Sequence, residues 1–153
     1  MVLPHRHEGG RRLIGALLRL PSDEVRRRIS ADLGQRYPGL TTAHMAIFQH
    51  IDHPPAGTRQ TDLAERIAIS KQSLGELVDS MESLGLVERM ADGADRRAKL
   101  VRLTALGWSA HQRALEIGAE IEAEWAGLIG HREFTTLVGL LQALEAALTV
   151  DTH

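Results

Sequence analysis

Five cationic side chains, Arg89, Arg96, Arg97, Lys99 and Arg102, crowd around the stretch ADGADRRAKLVRLT at residues 91–104. Guanidinium and ammonium groups are phosphate binders, Arg through a planar fork of donors and Lys as a point charge. Asp95 stands directly before two Args, where a carboxylate can hold one guanidinium in a fixed orientation and leave the other free. Upstream lies a second polar group, Ser70, Lys71, Gln72 and Ser73. These match the edges of base pairs: Gln can grip adenine with two bonds, Lys can meet guanine or phosphate, and Ser can serve either partner. Taken singly, each group also suits a solvated turn or a solvated helix start, and Glu76 and Asp79 carry the wrong sign for a phosphate. Taken together, a cationic turn behind an outward-facing Ser-Lys-Gln-Ser points to duplex DNA.

Positioning these groups requires a reading helix and a rigid turn. Leu74, Leu77, Val78, Met81 and Leu84 repeat at helical spacing after Ser70, which has the chemistry of an N-cap. Gly85 suits the C-terminal cap. The preceding TRQTDLAERI predicts a short helix with Thr58 as its cap, joined by AIS in a tight connection, which is the helix-turn-helix pattern. LVERMA (86–91) and AKLVRLT (98–104) are strand-length bursts around a polar turn and predict a β-hairpin whose tip, Arg96 and Arg97, could enter a minor groove. Thr104 caps a long helix from Ala105 to about Ile129, and Gly130 breaks it. A last helix carries Phe134, Leu137, Leu141, Leu144 and Leu148. At the other end, a helix over Glu8 to Leu20 is stopped or kinked by Pro21. A second helix runs from a Ser22 cap to about Arg36, and a short one follows Thr41 or Thr42. The expected fold is mainly α with a small β-hairpin, a winged helix-turn-helix set in a helical frame.

Bulk composition narrows the class. A chain of 153 residues with 43% hydrophobic and 25% charged residues is one domain's worth of globular protein. It has no Cys, which excludes disulfides, thiolate metal sites and thiol redox signalling within the chain. The apolar run LIGALL at residues 13–18 is too short to span a bilayer, so the expectation is a cytoplasmic protein with no membrane partner. The net charge of −2 conceals a strong asymmetry, with eight basic and four acidic residues over 1–37 and two basic and seven acidic over 105–153. Any attraction for DNA must therefore be local.

TDLAERIAISKQSLGELVDSMESLGLVERMADGADRRAKLVRLTALG, residues 61–107, resembles the core of the multiple-antibiotic-resistance regulator (MarR) family. The Leu-Ala-Glu start, the Gly-Leu-Val-Glu-Arg strand, the Asp-Arg-Arg wing and the Leu-Thr-x-x-Gly exit carry the likeness, and the flanking helices agree with it in number and length. The resemblance implies a homodimeric, ligand-responsive regulator of transcription, expected to be a repressor on a palindromic operator. It implies one domain over 1–153, with dimerisation helices at 1–37 and 105–153 and a winged helix-turn-helix at 40–104. It further implies that Asp95 pairs with Arg96 or Arg97 inside the wing while the other Arg meets DNA. Ser80 and Ser83 stand where the family often has Arg, which predicts fewer phosphate contacts and a shallower salt dependence.

Dimerisation has its own physical grounds. The apolar stripe of the last helix and segment 9–20 display more hydrophobic surface than one small winged unit covers, and opposite charges at the two ends favour their lying together. In the family a small aromatic or anionic effector binds a cleft beside the reading domain, and Tyr37, His44, Met45, Phe48, Trp108 and His111 are the candidate lining here. Plain core packing is the competing reading for each. The eight His residues show no compact ligand spacing, so no metal and no cofactor are expected. No nucleophile elbow, phosphate loop or carboxylate pair appears, so the chain does not read as an enzyme. The alternative function is a winged-helix protein–protein interaction module without DNA binding.

Overall fold

A computed structural model describes residues 12–95 and 97–150. Among them the chain forms six helices and one small sheet in the order α1 (Ile14–Arg36), α2 (Thr42–His50), β1 (Thr58–Arg59), α3 (Gln60–Ile67), α4 (Lys71–Ser83), β2 (Val87–Ala91), β3 (Lys99–Leu103), α5 (Ala105–Ile129) and α6 (His131–Val150). This is the expected winged helix-turn-helix with long helices at both ends. None of the described helices is long and apolar enough to cross a membrane.

Pro21 does not divide the N-terminal segment as expected; it lies inside α1. The proline removes one backbone donor and leaves the Leu17 carbonyl without its helical partner. Leu17 is 53% exposed and Pro21 is exposed too, so water can serve that carbonyl. Asp23 and Glu24, expected in the first turn of a separate helix, instead pair along α1. Asp23 takes Arg19 at 3.5 Å and Arg26 at 3.0 Å, and Glu24 takes Arg27 at 2.7 Å. Exposed pairs at this spacing each add a few tenths of a kcal/mol, about 0.2–0.5, to a helix.

α3 and α4 form the helix-turn-helix. Ser70 caps α4 as expected, accepting the Ser73 N–H at 3.0 Å. The turn before it has Ala68 in the left-handed region at φ 59°. Gly85, at φ 71°, closes α4. Its N–H donates to the Glu82 carbonyl and the Leu86 N–H to the Met81 carbonyl, both at 2.9 Å, the paired bonds of a Schellman motif. Leu63, Leu74, Val78, Met81 and Leu86 are fully buried and join Leu33 of α1 and Ile47 of α2 in one core.

The sheet has three strands, not two, in the order β1-β3-β2 and all antiparallel. β1 has two residues, too few to show an alternating pattern. Thr58, expected as a helix cap, belongs to this strand; its hydroxyl donates to the Asp52 carboxylate and accepts the Asp52 N–H, both at 2.8 Å. Across the hairpin Val87 faces Leu103 and Ala91 faces Lys99.

The exit from the hairpin is tight. Thr104 donates its N–H to the Leu86 carbonyl at 3.1 Å, and its hydroxyl bonds the Gly85 carbonyl while accepting the Gly107 N–H at 3.0 Å. A Cβ on Gly107 would lie 1.8 Å from the Leu86 carbonyl oxygen. α5 then runs back to the frame, where Arg113 reaches Asp32 of α1 at 3.0 Å and Arg28 reaches Glu124 at 2.7 Å. Gly107→Ala should therefore destabilise the protein by about 3 kcal/mol, at the upper end for overpacking, despite the better helix propensity of Ala. Urea unfolding checks this; an unchanged midpoint would show that the junction relaxes freely.

Candidate nucleic-acid interface

The cations around the wing divide into two groups by their partners. Arg89 is mostly buried and ties β2 to α4, pairing with Asp79 and Glu82 at 2.6 Å each. It also donates to the Gly75 carbonyl and to Gln60. Asp79, which looked unsuitable beside DNA, is thus a structural partner. Arg102 faces Glu88 across the hairpin and bonds it at 2.6 Å. Neither Arg89 nor Arg102 offers free charge.

Among the described Lys and Arg residues, Arg12, Lys71, Arg97, Lys99 and Arg132 make no ion pair. Three of these, Lys71, Arg97 and Lys99, line one cleft of about 230 Å³ between the start of α3, the start of α4 and the wing. All three are exposed. Arg59, Gln60 and Thr61 line the same cleft. Sequence patterning missed these three, because β1 gave no periodic signal and Arg59 sat in an apparent helix start.

Ser70 and Ser73 face each other at the start of α4. The Ser70 hydroxyl accepts the Ser73 N–H and donates to the Ser73 hydroxyl at 2.9 Å, so Ser70 is engaged in capping. Gln72 leans along the helix to Glu76 at 3.3 Å. Lys71, Gln72 and Ser73 are exposed, while Leu74 and Val78 point into the core.

Asp95 accepts the Arg97 N–H at 2.9 Å, shaping the turn through the backbone. Among the described residues it makes no ion pair with Arg97; Arg96, the other expected partner, lies outside the described residues. The ionic tie that the structure does describe at the wing joins Asp92 to Arg59 at 2.7 Å. The Asp92 carboxyl is held below the ordinary carboxylate range by the Ala94 N–H first and then by Arg59.

Of the six candidate effector residues, His44, Met45, Phe48 and His111 are buried, and Trp108 lines a cleft of about 350 Å³ with Pro54, Pro55 and Arg102. Met45 and Phe48 are core residues, 5% and 3% exposed, and Tyr37 and Trp108 pack against that core. Phe48 stacks on His111 with centroids 5.9 Å apart, and Trp108 lies tilted against His111 at 5.3 Å. His44 is taken up in capping α2, its Nδ1 accepting the Thr41 N–H at 2.9 Å. Large apolar rings next to a helix junction bury themselves, which favours the packing alternative. A groove of about 880 Å³ opens elsewhere, between Arg26, Arg27 and Ser30 of α1, Thr42 and Ala46 of α2, and Ile69 of the α3–α4 turn. Among the described residues no group of three or more His, Cys, Asp or Glu is placed to hold a metal ion.

Comparison with known proteins bears on both fold and site. A model of the MarR family matches residues 39–98, from the turn before α2 into the wing. The chain is similar to the transcriptional regulator HosA of Escherichia coli O157:H7, at 34% identity over 107 residues, 70% of this chain and 78% of HosA. HosA of Escherichia coli O127:H6 is 33% identical over the same shares of the two chains. Among solved structures, a crystal structure of MarR superposes with a TM-score of 0.79 at 23% identity, covering 95% of this chain and 97% of that one. The MepR–DNA complex of Staphylococcus aureus gives a TM-score of 0.68 at 20% identity, covering 90% and 99%. At such identities the structural likeness speaks for the fold.

Two imidazoles test the packing beside the site. His44 Nε2 and His111 Nδ1 are buried with no hydrogen-bond partner. Burial lowers both pKa values below the ordinary 6.5, reinforced at His111 by His53. The unfolded chain therefore takes up protons first as pH falls below 6.5. Stability should be flat above pH 7, decline as pH falls below 6.5, and decline less steeply in His111→Phe. Urea midpoints across that range check the sign; a rise on acidification contradicts it.

Proposed function

We propose that this chain, which belongs to the MarR family of transcriptional regulators, acts as a repressor that binds palindromic duplex DNA as a homodimer. Its relatives and its fold are those of regulators of transcription and not of enzymes. Convergence of Lys71, Arg97 and Lys99 on one cleft, each without a carboxylate partner, carries the proposal. The complex of MepR with DNA, which shares the fold, supports it. In this reading Lys71, Gln72 and Ser73 face a major groove from the start of α4, with Ser70 setting where the helix begins. Arg97, with Arg96 beside it in sequence, enters the adjacent minor groove, where narrow A·T-rich segments concentrate negative potential. Asp95 shapes the turn that presents them.

The frame supports pairing. Leu128 is 74% exposed, Leu140 65% and Leu20 66%, an apolar display that a second copy would cover. Residues 1–37 and 105–153 would then form the dimer frame and residues 40–104 the DNA-reading part. A two-fold axis would place two α4 helices about 34 Å apart, one turn of DNA, and so select a palindrome. For a small aromatic or anionic effector, the groove between α1 and α2 suits entry better than the packed rings around His111, and a ligand wedged there would change how α1 bears on α2. Cytoplasmic DNA is the natural site of action.

Lys71→Ala and Arg97→Ala should each weaken binding and reduce the slope of log affinity against log salt by about 2, the effect of losing one phosphate contact in each subunit of the dimer. Mobility shifts at several salt concentrations measure this; slopes equal to wild type would remove both residues from the interface. Leu128→Asp should turn a dimer into a monomer in sedimentation equilibrium and abolish tight binding to a palindrome; a wild-type chain that sediments as a monomer ends the dimer reading.

A further inference from the structure

We infer that Arg59 is a positioning residue for DNA binding, acting through Asp92 to fix the wing against the start of α4. This rests on the DNA-binding reading above. Arg59 lies on β1 opposite Leu100 of β3, and Asp92 follows the last residue of β2. Since β3 lies between those strands, the pair spans the width of the sheet, two strand spacings or about 10 Å. Both Nε and Nη2 of Arg59 bond the same Asp92 oxygen at 2.7 Å. The other Asp92 oxygen accepts the Ala94 N–H at 2.9 Å, and the Asp92 N–H donates to the Ala98 carbonyl at 3.1 Å. Asp92 thus ties the turn to β1, its carboxylate bonding Arg59 and Ala94 while its N–H holds the opposite arm at Ala98. The Asp92 side chain is 11% exposed, so little water competes for it.

The consequence is geometric rather than electrostatic. Arg59 and Asp92 cancel each other's charge, whereas Lys71, Arg97 and Lys99, which share a cleft with Arg59, make no ion pair among the described residues. Phosphate contacts from two separate elements are worth most when the elements are held at a fixed spacing beforehand, because ordering them on binding costs affinity. Charge alone makes the opposite forecast: removing Asp92 takes a negative group away from DNA and should tighten binding. Direct contact by a freed Arg59 makes the same forecast.

Fluorescence anisotropy decides between them, using the full chain and a fluorescein-labelled duplex that the wild type selects from a randomised pool. Asp92→Asn and Arg59→Lys should each weaken binding about tenfold. The neutral pair Arg59→Met with Asp92→Asn, which leaves net charge unchanged, should weaken it as much as either alone. On an Arg97→Ala background, Asp92→Asn should cost less than about twofold, because the wing contact it positions is already gone. Arg59→Lys keeps the charge, so its loss cannot come from neutralising a cation. Tighter or unchanged binding by Asp92→Asn overturns the inference, as do losses that simply multiply with that of Arg97→Ala. If Arg97→Ala weakens binding but Asp92→Asn does not, the positioning role alone fails. If the wild type selects no duplex, the DNA-binding reading fails with it.

Discussion

The close approach of the Leu86 carbonyl to the first turn of α5 is the constraint on which the outward-facing parts depend. Gly85 ends the reading helix, Leu86 opens the hairpin, and Thr104 and Gly107 begin the long frame helix, all within one knot of backbone hydrogen bonds. Gly107 is required there because no side chain fits between the two backbones. Reading helix, wing and frame therefore cannot turn independently. The Leu-Thr-x-x-Gly exit, which in the sequence is only a motif, is the chemical form of this junction: a hydroxyl that caps and a residue with no Cβ three positions later.

A second constraint is the allocation of charge. A chain with a net charge of −2 is a poor polyanion binder on average. The fold resolves this by giving most cations a carboxylate inside the structure. Arg89 holds α4 to β2, Arg102 braces the hairpin, and Arg113 clasps Asp32 while also meeting Glu116 and Glu120. Three carboxylate-bearing side chains around one guanidinium raise the Arg113 pKa well above its ordinary value, with Asp32 the strongest contributor. Of the five left without an ion pair among the described residues, Lys71, Arg97 and Lys99 share one cleft. Local field, not total charge, then sets the affinity for DNA, and such a field is screened by salt over about 10 Å at ordinary ionic strength.

Much of this was legible in the sequence, and the reasons differ from element to element. The bounds of α5 follow from Thr104 and Gly130, because capping chemistry is local and needs no tertiary partner. The Ser70 cap and the stripe through Met81 are legible for the same reason. Pro21 misled, since its cost in a helix depends on whether water reaches the orphaned carbonyl, which only the fold decides. β1 was invisible because two residues have no period. Cation partners were invisible too: Arg89 and Arg97 look alike along the chain, and Asp79 and Glu82 separate them only once β2 is laid against α4. The role of the rings around His111 is illegible on the same ground, as aromatic residues at a helix junction look identical in sequence whether they enclose a space or fill it.

Helix α5 joins the wing to the frame without a break. Its 25 residues form a rod of about 37 Å, fixed at one end by the Leu86 junction and clasped farther along by Arg113 and Arg28. Such a rod is a lever. A tilt of about 5° where Arg28 grips Glu124, about 28 Å from the wing end, would carry that end by roughly 2.5 Å, close to the length of a hydrogen bond. A disturbance small enough to leave the Arg28–Glu124 pair in place would still shift the wing relative to the frame.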